Sequence, residues 1–182
     1  MVLLDSGAGA LGSRCPGCRL PGVDGRTWGL EDFQAPLLLV VVMCNHCPYV
    51  QAVDDRINAL AGAFAGRCDV VAINGNDARA YPEDAFPAMQ ARARLKGYAF
   101  PYLHDATQEV MRAFGAVCTP DFFLYDRQRA LAYRGRLDDN WKDPARVGQA
   151  DLCLAIEALL AGAPVAPLQR PSLGCSIKWK PR

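Results

Sequence analysis

The sequence predicts an α/β domain, and three observations carry the prediction. An unbroken apolar run over 37–43, β-branched in its centre, reads as a strand covered on both faces. A helical spacing follows it directly, through Val50, Val53, Ile57, Leu60 and Phe64. After Gly66 the pattern repeats, with an apolar strand over 69–74 and a helix over 82–96. Strand, helix, strand, helix is the rhythm of an α/β fold. At 182 residues the chain fits one domain spanning 1–182, long enough to bury roughly two-thirds of its unfolded surface.

Taken in order, residues 1–22 are rich in Gly, Pro and Cys without a period and read as an irregular amino-terminal segment. Val23-Asp24-Gly25-Arg26 carries the Asp-Gly turn signal and opens a hairpin into 27–30. The strand at 37–43 then leads into the helix that begins near Pro48. In the helix over 82–96, Pro82 stands near the first turn and Gly97 just past the end. A third strand over 100–103 and a short helix over 108–114, ended by Gly115, come next. Asp121–Tyr125 and 130–136, joined by polar residues 126–129, have the pattern of an antiparallel hairpin. Leu152, Ile156, Leu159 and Leu160 mark a last helix before Gly162. Residues 163–182 form a tail without its own core, in which Ile177 and Trp179 can dock and the basic end is solvated.

With 20 Lys plus Arg against 19 Asp plus Glu, no summed field steers the chain toward nucleic acid or an anionic membrane. The longest apolar run is too short to span a bilayer, and the first residues lack a basic region followed by an apolar stretch. A cytoplasmic location is the default expectation.

Eight cysteines stand at 15, 18, 44, 47, 68, 118, 153 and 175. In a chain of this length they point to redox chemistry or metal binding rather than to a secreted disulfide framework. Cys68 and Cys153 sit within apolar stretches and read as inert core thiols. Cys44 and Cys47 differ, because Met43-Cys44-Asn45-His46-Cys47-Pro48 falls where the strand meets the helix. Their spacing by itself is weak, since roughly 0.3 such pairs arise by chance in this composition. Position carries the argument. At a helix start, Cys44 faces unpaired backbone N–H groups and the positive end of the helix dipole, which favour a thiolate.

Cys44 is therefore the predicted nucleophile. Cys47, one turn into the helix, reaches it as the resolving thiol, and Pro48 removes only a donor that lacks an intrahelical partner. His46, when charged, supports the Cys44 thiolate and makes the disulfide more oxidising. The alternative is a His46 that caps the helix and faces solvent.

These residues give the chain a family likeness. It resembles the thioredoxin superfamily, and more closely the bacterial redoxin branch of alkyl hydroperoxide reductase/thiol-specific antioxidant-like proteins. The resemblance rests on Cys44-Asn45-His46-Cys47-Pro48-Tyr49-Val50, Ile73-Asn74-Gly75-Asn76-Asp77, Tyr81-Pro82-Glu83-Asp84, Phe100-Pro101-Tyr102-Leu103, Cys118-Thr119-Pro120-Asp121-Phe122-Phe123-Leu124, Tyr133-Arg134-Gly135-Arg136-Leu137-Asp138-Asp139 and Gly174-Cys175-Ser176-Ile177-Lys178-Trp179-Lys180. It covers residues 20–180 and is most specific over 44–50 and 118–124.

The resemblance implies a thioredoxin fold, with a central mixed β-sheet flanked by helices and a redoxin-type strand-helix insertion between Cys47 and Pro120. It implies a cis Pro120 whose loop, with Thr119, faces Cys44 and Cys47 and lets a substrate backbone pair alongside. Cys118 then lies close by. No cofactor is implied, and the partners are protein or small-molecule disulfides and thiols with an electron donor or acceptor. The expected potential lies between about −270 mV for thioredoxin and about −120 mV for a strongly oxidising periplasmic relative. Two departures matter. Met43 stands where Trp often precedes the first cysteine, and Leu38 stands where thioredoxin has a buried Asp, which leaves proton transfer to His46 or water.

Two rivals remain. Peroxiredoxins place Pro seven and Thr or Ser three residues before their peroxidatic cysteine, and here those positions hold Leu37 and Val41. Disulfide exchange thus outranks thiol-dependent peroxidase activity. The second rival is a zinc module, in which Cys15-Pro16-Gly17-Cys18 resembles a knuckle and joins Cys44 and Cys47 in a tetrahedral site. The 25 residues between Cys18 and Cys44 exceed the usual spacing of about 15 to 20, so no metal is assigned. Cys15 and Cys18 otherwise read as chance loop thiols or as a second redox pair, and Cys118 with Cys175 as a further disulfide, a resolving site or buried packing.

Overall fold

Burial along 37–42 alternates between two cores: Leu37, Leu39 and Val41 enter one cluster, Leu38, Val40 and Val42 the other. The computed structural model describes residues 3–7 and 9–181. In chain order its elements are β1 (Leu3–Asp5), β2 (Arg19–Pro21), β3 (Thr27–Gly29), β4 (Leu37–Val42), α1 (Pro48–Ala63), β5 (Cys68–Asn74), α2 (Phe86–Lys96), β6 (Tyr102–His104), α3 (Glu109–Ala113), β7 (Cys118–Thr119), β8 (Asp121–Tyr125), β9 (Leu131–Gly135), α4 (Asp151–Leu160) and β10 (Leu173–Ser176). The five-stranded sheet has the order β6-β5-β4-β8-β9. β4 pairs parallel with β5 and antiparallel with β8, so the sheet is mixed. α1, α2 and α4 cover one face, and α3 with the amino-terminal hairpin covers the other.

Local chemistry explains most boundaries. The Asp-Gly hairpin forms as predicted, between β2 and β3. Gly97 ends α2 at φ 59, a left-handed conformation that costs glycine little. The helix predicted over 82–96 is in fact two pieces, a 3-10 turn over Pro82–Asp84 and then α2. Pro87 is the reason. It has no N–H to donate to the Glu83 carbonyl four residues back, so a continuous helix cannot run through it. That carbonyl takes the Asn45 side-chain amide instead, at 2.7 Å.

The tail expected over 163–182 is only partly a tail. β10 pairs antiparallel with β1 on one side and β7 on the other, in a three-stranded sheet that no sequence period announces. The basic end is docked as far as Trp179, with Gln108 bonding the Lys178 carbonyl and the Lys180 amide and Arg112 4.1 Å over the Trp179 ring, while the Lys180 and Pro181 side chains are exposed as expected and Arg182 lies outside the described residues. The irregular segment 1–22 likewise contributes β1 and β2. Among the described residues no helix is long and apolar enough to cross a membrane.

Candidate active site

Cys44 follows the end of β4, and Cys47 is the N-cap of α1. This corrects the expectation that Cys47 lies one turn inside the helix. A residue before proline is pushed out of the α region, and Cys47 sits at φ −73, ψ 120 ahead of Pro48. The positive end of the helix therefore faces Cys47 rather than Cys44. Both sulfurs are buried, Cys44 at 1% exposure and Cys47 at 0%.

The cis Thr119–Pro120 bond closes the site from the opposite side. The Thr119 hydroxyl lies 3.3 Å from Cys44 Sγ, and its carbonyl oxygen lies 3.1 Å from Cys47 Sγ, from which it accepts when that sulfur carries a proton. Cys47 Sγ also lies 2.8 Å from Cys175 Sγ on β10. In the coupled pair the acidic thiol is Cys47. A hydrogen bond from Cys44 favours its thiolate most, with Cys175 and the Val50 amide assisting against burial. Cys44 is held well above its usual range by that same bond, by burial and by the charge of Asp84, while the Thr119 hydroxyl works the other way.

Asp84 was not picked out by sequence. It ends the Pro82–Asp84 turn, fully buried, and gathers the loop around Cys44. Its Oδ1 accepts from the Asn45 amide at 2.7 Å and the Asn74 side chain at 3.4 Å. Its Oδ2 accepts from His46 Nδ1 at 2.6 Å and from Asn76 at 2.8 Å. Tyr102 donates to Asn45 Oδ1 at 3.0 Å and receives the Asn74 side chain at 3.1 Å. His46 thus neither caps the helix nor turns to solvent. Its ring stacks on Tyr81 at 4.8 Å, and its Nε2 is buried without a hydrogen-bond partner. With Nδ1 donating to a carboxylate, Nε2 of the neutral ring carries the lone pair and can take a proton. Leu38 packs in the core of the other sheet face, so the carboxylate missing there arrives by a different route.

The other predicted residues divide. Asn45, Pro48, Thr119 and Pro120 all belong to the site. Cys118 is fully buried beside it with its thiol pushed up by burial, and β10 sets Ser176 opposite it rather than Cys175. Cys15 packs on the far face of the sheet, so Cys15 and Cys18 do not join Cys44 and Cys47 and the four-cysteine zinc site is not formed. Burial pushes the Cys15 thiol up to about 12 and the Cys18 thiol to about 11. No helix starts there to oppose it, which makes them poor nucleophiles. Cys68 is a core thiol as expected, while Cys153 is only partly buried.

Among the described residues, Cys44, His46 and Asp84 alone bring possible metal-ligand atoms within 4.8 Å of one another. Each Asp84 oxygen already serves two donors, an arrangement that orients a histidine better than it holds an ion. A groove of about 100 Å³ runs beside Pro120, lined by Tyr49, Trp141, Asp138 and Leu173. Its size suits a partner's side chain.

The profile of the AhpC/TSA family matches residues 11–134. A crystal structure of an uncharacterised conserved protein from Geobacillus kaustophilus is similar at 42% identity and TM-score 0.95, covering 100% of this chain and 98% of that one. A hypothetical protein from Sinorhizobium meliloti 1021 is similar at 44% identity and TM-score 0.93, covering 98% and 99%. A secreted disulfide oxidoreductase of Mycobacterium tuberculosis shares the fold at 18% identity and TM-score 0.60, covering 78% and 96%. None of the functionally curated proteins matches the chain. The fold is that of thioredoxin, a mixed sheet flanked by helices.

Proposed function

This chain belongs to the AhpC/TSA family, which sets thiol redox chemistry as its class of activity, and we propose that it is a thiol-disulfide oxidoreductase acting through Cys44 and Cys47. The observation that carries the reading is the pair's placement at the β4–α1 junction against cis Pro120. Cys44 is the attacking sulfur and Cys47 the resolving one. The reduced site rests with its thiolate on Cys47, hydrogen-bonded by the Cys44 thiol. When Cys44 attacks a partner disulfide, its proton passes to Cys47, and the partner's leaving sulfur departs as thiolate. Cys47 then gives its proton to His46 Nε2 or water and attacks the mixed disulfide, which closes Cys44–Cys47 and frees the second partner thiol.

Partners are protein or small-molecule disulfides and thiols, with a donor or acceptor of the same class. Nucleic acid and membrane are not among them. A cytoplasmic setting belongs to the same proposal.

Redox titration against glutathione, with the linked peptides mapped by mass, tests the reading. A reversible Cys44–Cys47 disulfide is expected, and Cys47→Ala holds partners as mixed disulfides on Cys44. Trapping by Cys44→Ala instead reverses the roles, and absence of any disulfide on the pair ends the proposal. Peroxide reduction is the second reading, favoured by the family and opposed by Val41, which puts a buried hydrocarbon where an activating hydroxyl is required. Oxidation of Cys44 by peroxide no faster than a free thiol decides between them.

A further inference from the structure

Cys175 has no part in the two-thiol cycle, yet it is the residue against which Cys47 Sγ packs, at 2.8 Å. It comes from β10, 128 residues further along the chain, and several contacts hold it there. Its register places Cys175 opposite Thr119 on β7 and opposite Leu3 on β1. The Ser172 hydroxyl donates to the Pro120 carbonyl at 2.8 Å, and the Ser172 amide donates to Ser6 at 2.9 Å. Gly174 lets the strands touch, since a Cβ there would stand 2.2 Å from the Thr119 carbonyl oxygen. Cys175 itself is 1% exposed. Such a thiol is closed to bulk reagents and lies against Cys47. Among the described residues only Cys44 with His46 and Asp84 forms a tight ligand cluster. The three sulfurs therefore form a row through Cys47 rather than a cage around an ion.

Resting on the oxidoreductase reading above, we propose that Cys175 is a third redox thiol, which takes over the disulfide from the Cys44–Cys47 pair. The Cys175 thiolate attacks Cys47 Sγ. The Cys47–Cys175 bond forms as the Cys44–Cys47 bond breaks, and the electron pair leaves on Cys44, which takes up the proton that Cys175 gave up. The exchange is isomeric, one disulfide for another. The two-electron oxidation that made the first disulfide comes from the partner disulfide of the main cycle. Burial first, and then the neighbouring Cys47, push the Cys175 thiol up to about 12; the charge of Lys178, whose ammonium is anchored on Ser176 at 2.8 and 3.0 Å, works the other way. The oxidising equivalent is thereby stored beneath β10, and Cys44 is returned as a thiol. Attack by Cys44 on Cys47 runs the step backward.

The test uses the full-length protein equilibrated with mixtures of oxidised and reduced glutathione, quenched in acid, alkylated with N-ethylmaleimide, digested and mapped. The expected result is a Cys47–Cys175 peptide alongside the Cys44–Cys47 peptide, with Cys44 alkylated wherever the former occurs. Cys175→Ser should abolish the Cys47–Cys175 peptide and keep the Cys44–Cys47 peptide, and Cys44→Ser, which removes the sulfur that meets the partner, should lose the Cys47–Cys175 peptide as well. If Cys44–Cys47 forms while Cys175 is alkylated in full at every glutathione ratio, the relay is overturned and the two-thiol reading stands. If no disulfide forms on Cys44 or Cys47, both fall together.

Discussion

Replacing Asp84 by Asn removes a buried carboxylate charge beside Cys44 while keeping the side chain's shape. Asp84 and Cys44 bring ligand atoms within 4.8 Å of each other. At an effective dielectric of about 20 a unit charge at that separation opposes the Cys44 thiolate by about 3.5 kcal/mol, a factor of about 300 in thiolate population. A more acidic thiolate is also a weaker nucleophile, and a Brønsted slope of about 0.4–0.5 removes nearly half of that factor on a logarithmic scale. The net expectation is that Cys44 reacts about 20-fold faster with iodoacetamide at neutral pH, read by peptide mapping of the singly alkylated protein. The gain should narrow as pH rises toward the range where Cys44 is ionised in both proteins. The same substitution turns an amide toward donors from His46, Asn74 and Asn76, at a stability cost of about 2–3 kcal/mol seen in urea. An unchanged or slower Cys44 reaction in folded protein would refute the assignment of Asp84 as the charge that restrains this sulfur.

Three further outcomes are expected. Thr119→Val removes the hydroxyl 3.3 Å from Cys44 Sγ and should slow Cys44 about 3- to 10-fold in exchange with oxidised glutathione, with the fold intact. Gly174→Ala places a methyl against the Thr119 backbone and should cost about 1–3 kcal/mol in denaturant unfolding. It should also speed alkylation of Cys47; unchanged stability and reactivity would mean that β10 does not seal the site. His46→Ala should lower the redox potential against glutathione, because it removes the one group that can place a positive charge beside Cys44 without removing Asp84. A higher potential would show that the ring does not favour the thiolate.

Strong local signals made the sheet legible. The run at 37–42 has no polar residue to assign to a face, and it is indeed buried on both. Gly66, Gly97 and Gly115 all adopt positive φ at or just past helix ends. Cys44, Cys47 and Pro120 were identifiable because strand, helix and hairpin bracket them. Asp84 was not, since its role depends on where the Pro82–Asp84 turn folds back, and a carboxylate in Tyr-Pro-Glu-Asp looks like any helix start. The only hint was a cluster of polar residues, Asn74, Asn76 and Asp77, directly after an apolar strand. The hydrophobic pattern said equally little about Cys175. β10 is four residues long and held by β1 near the amino terminus and by β7 in the middle of the chain, so no local period marks it. A helix that includes Cys47 puts the thiolate on Cys44. The restriction that Pro48 places on its predecessor moves the helix end by the one residue that matters.

The pairing of Leu3 with Cys175 draws almost the entire chain into one loop. Contacts so distant in sequence form late, and during synthesis β10 leaves the ribosome long after β4 and α1. A nascent chain therefore carries Cys44 and Cys47 open to surrounding thiols and disulfides until residue 176 has emerged.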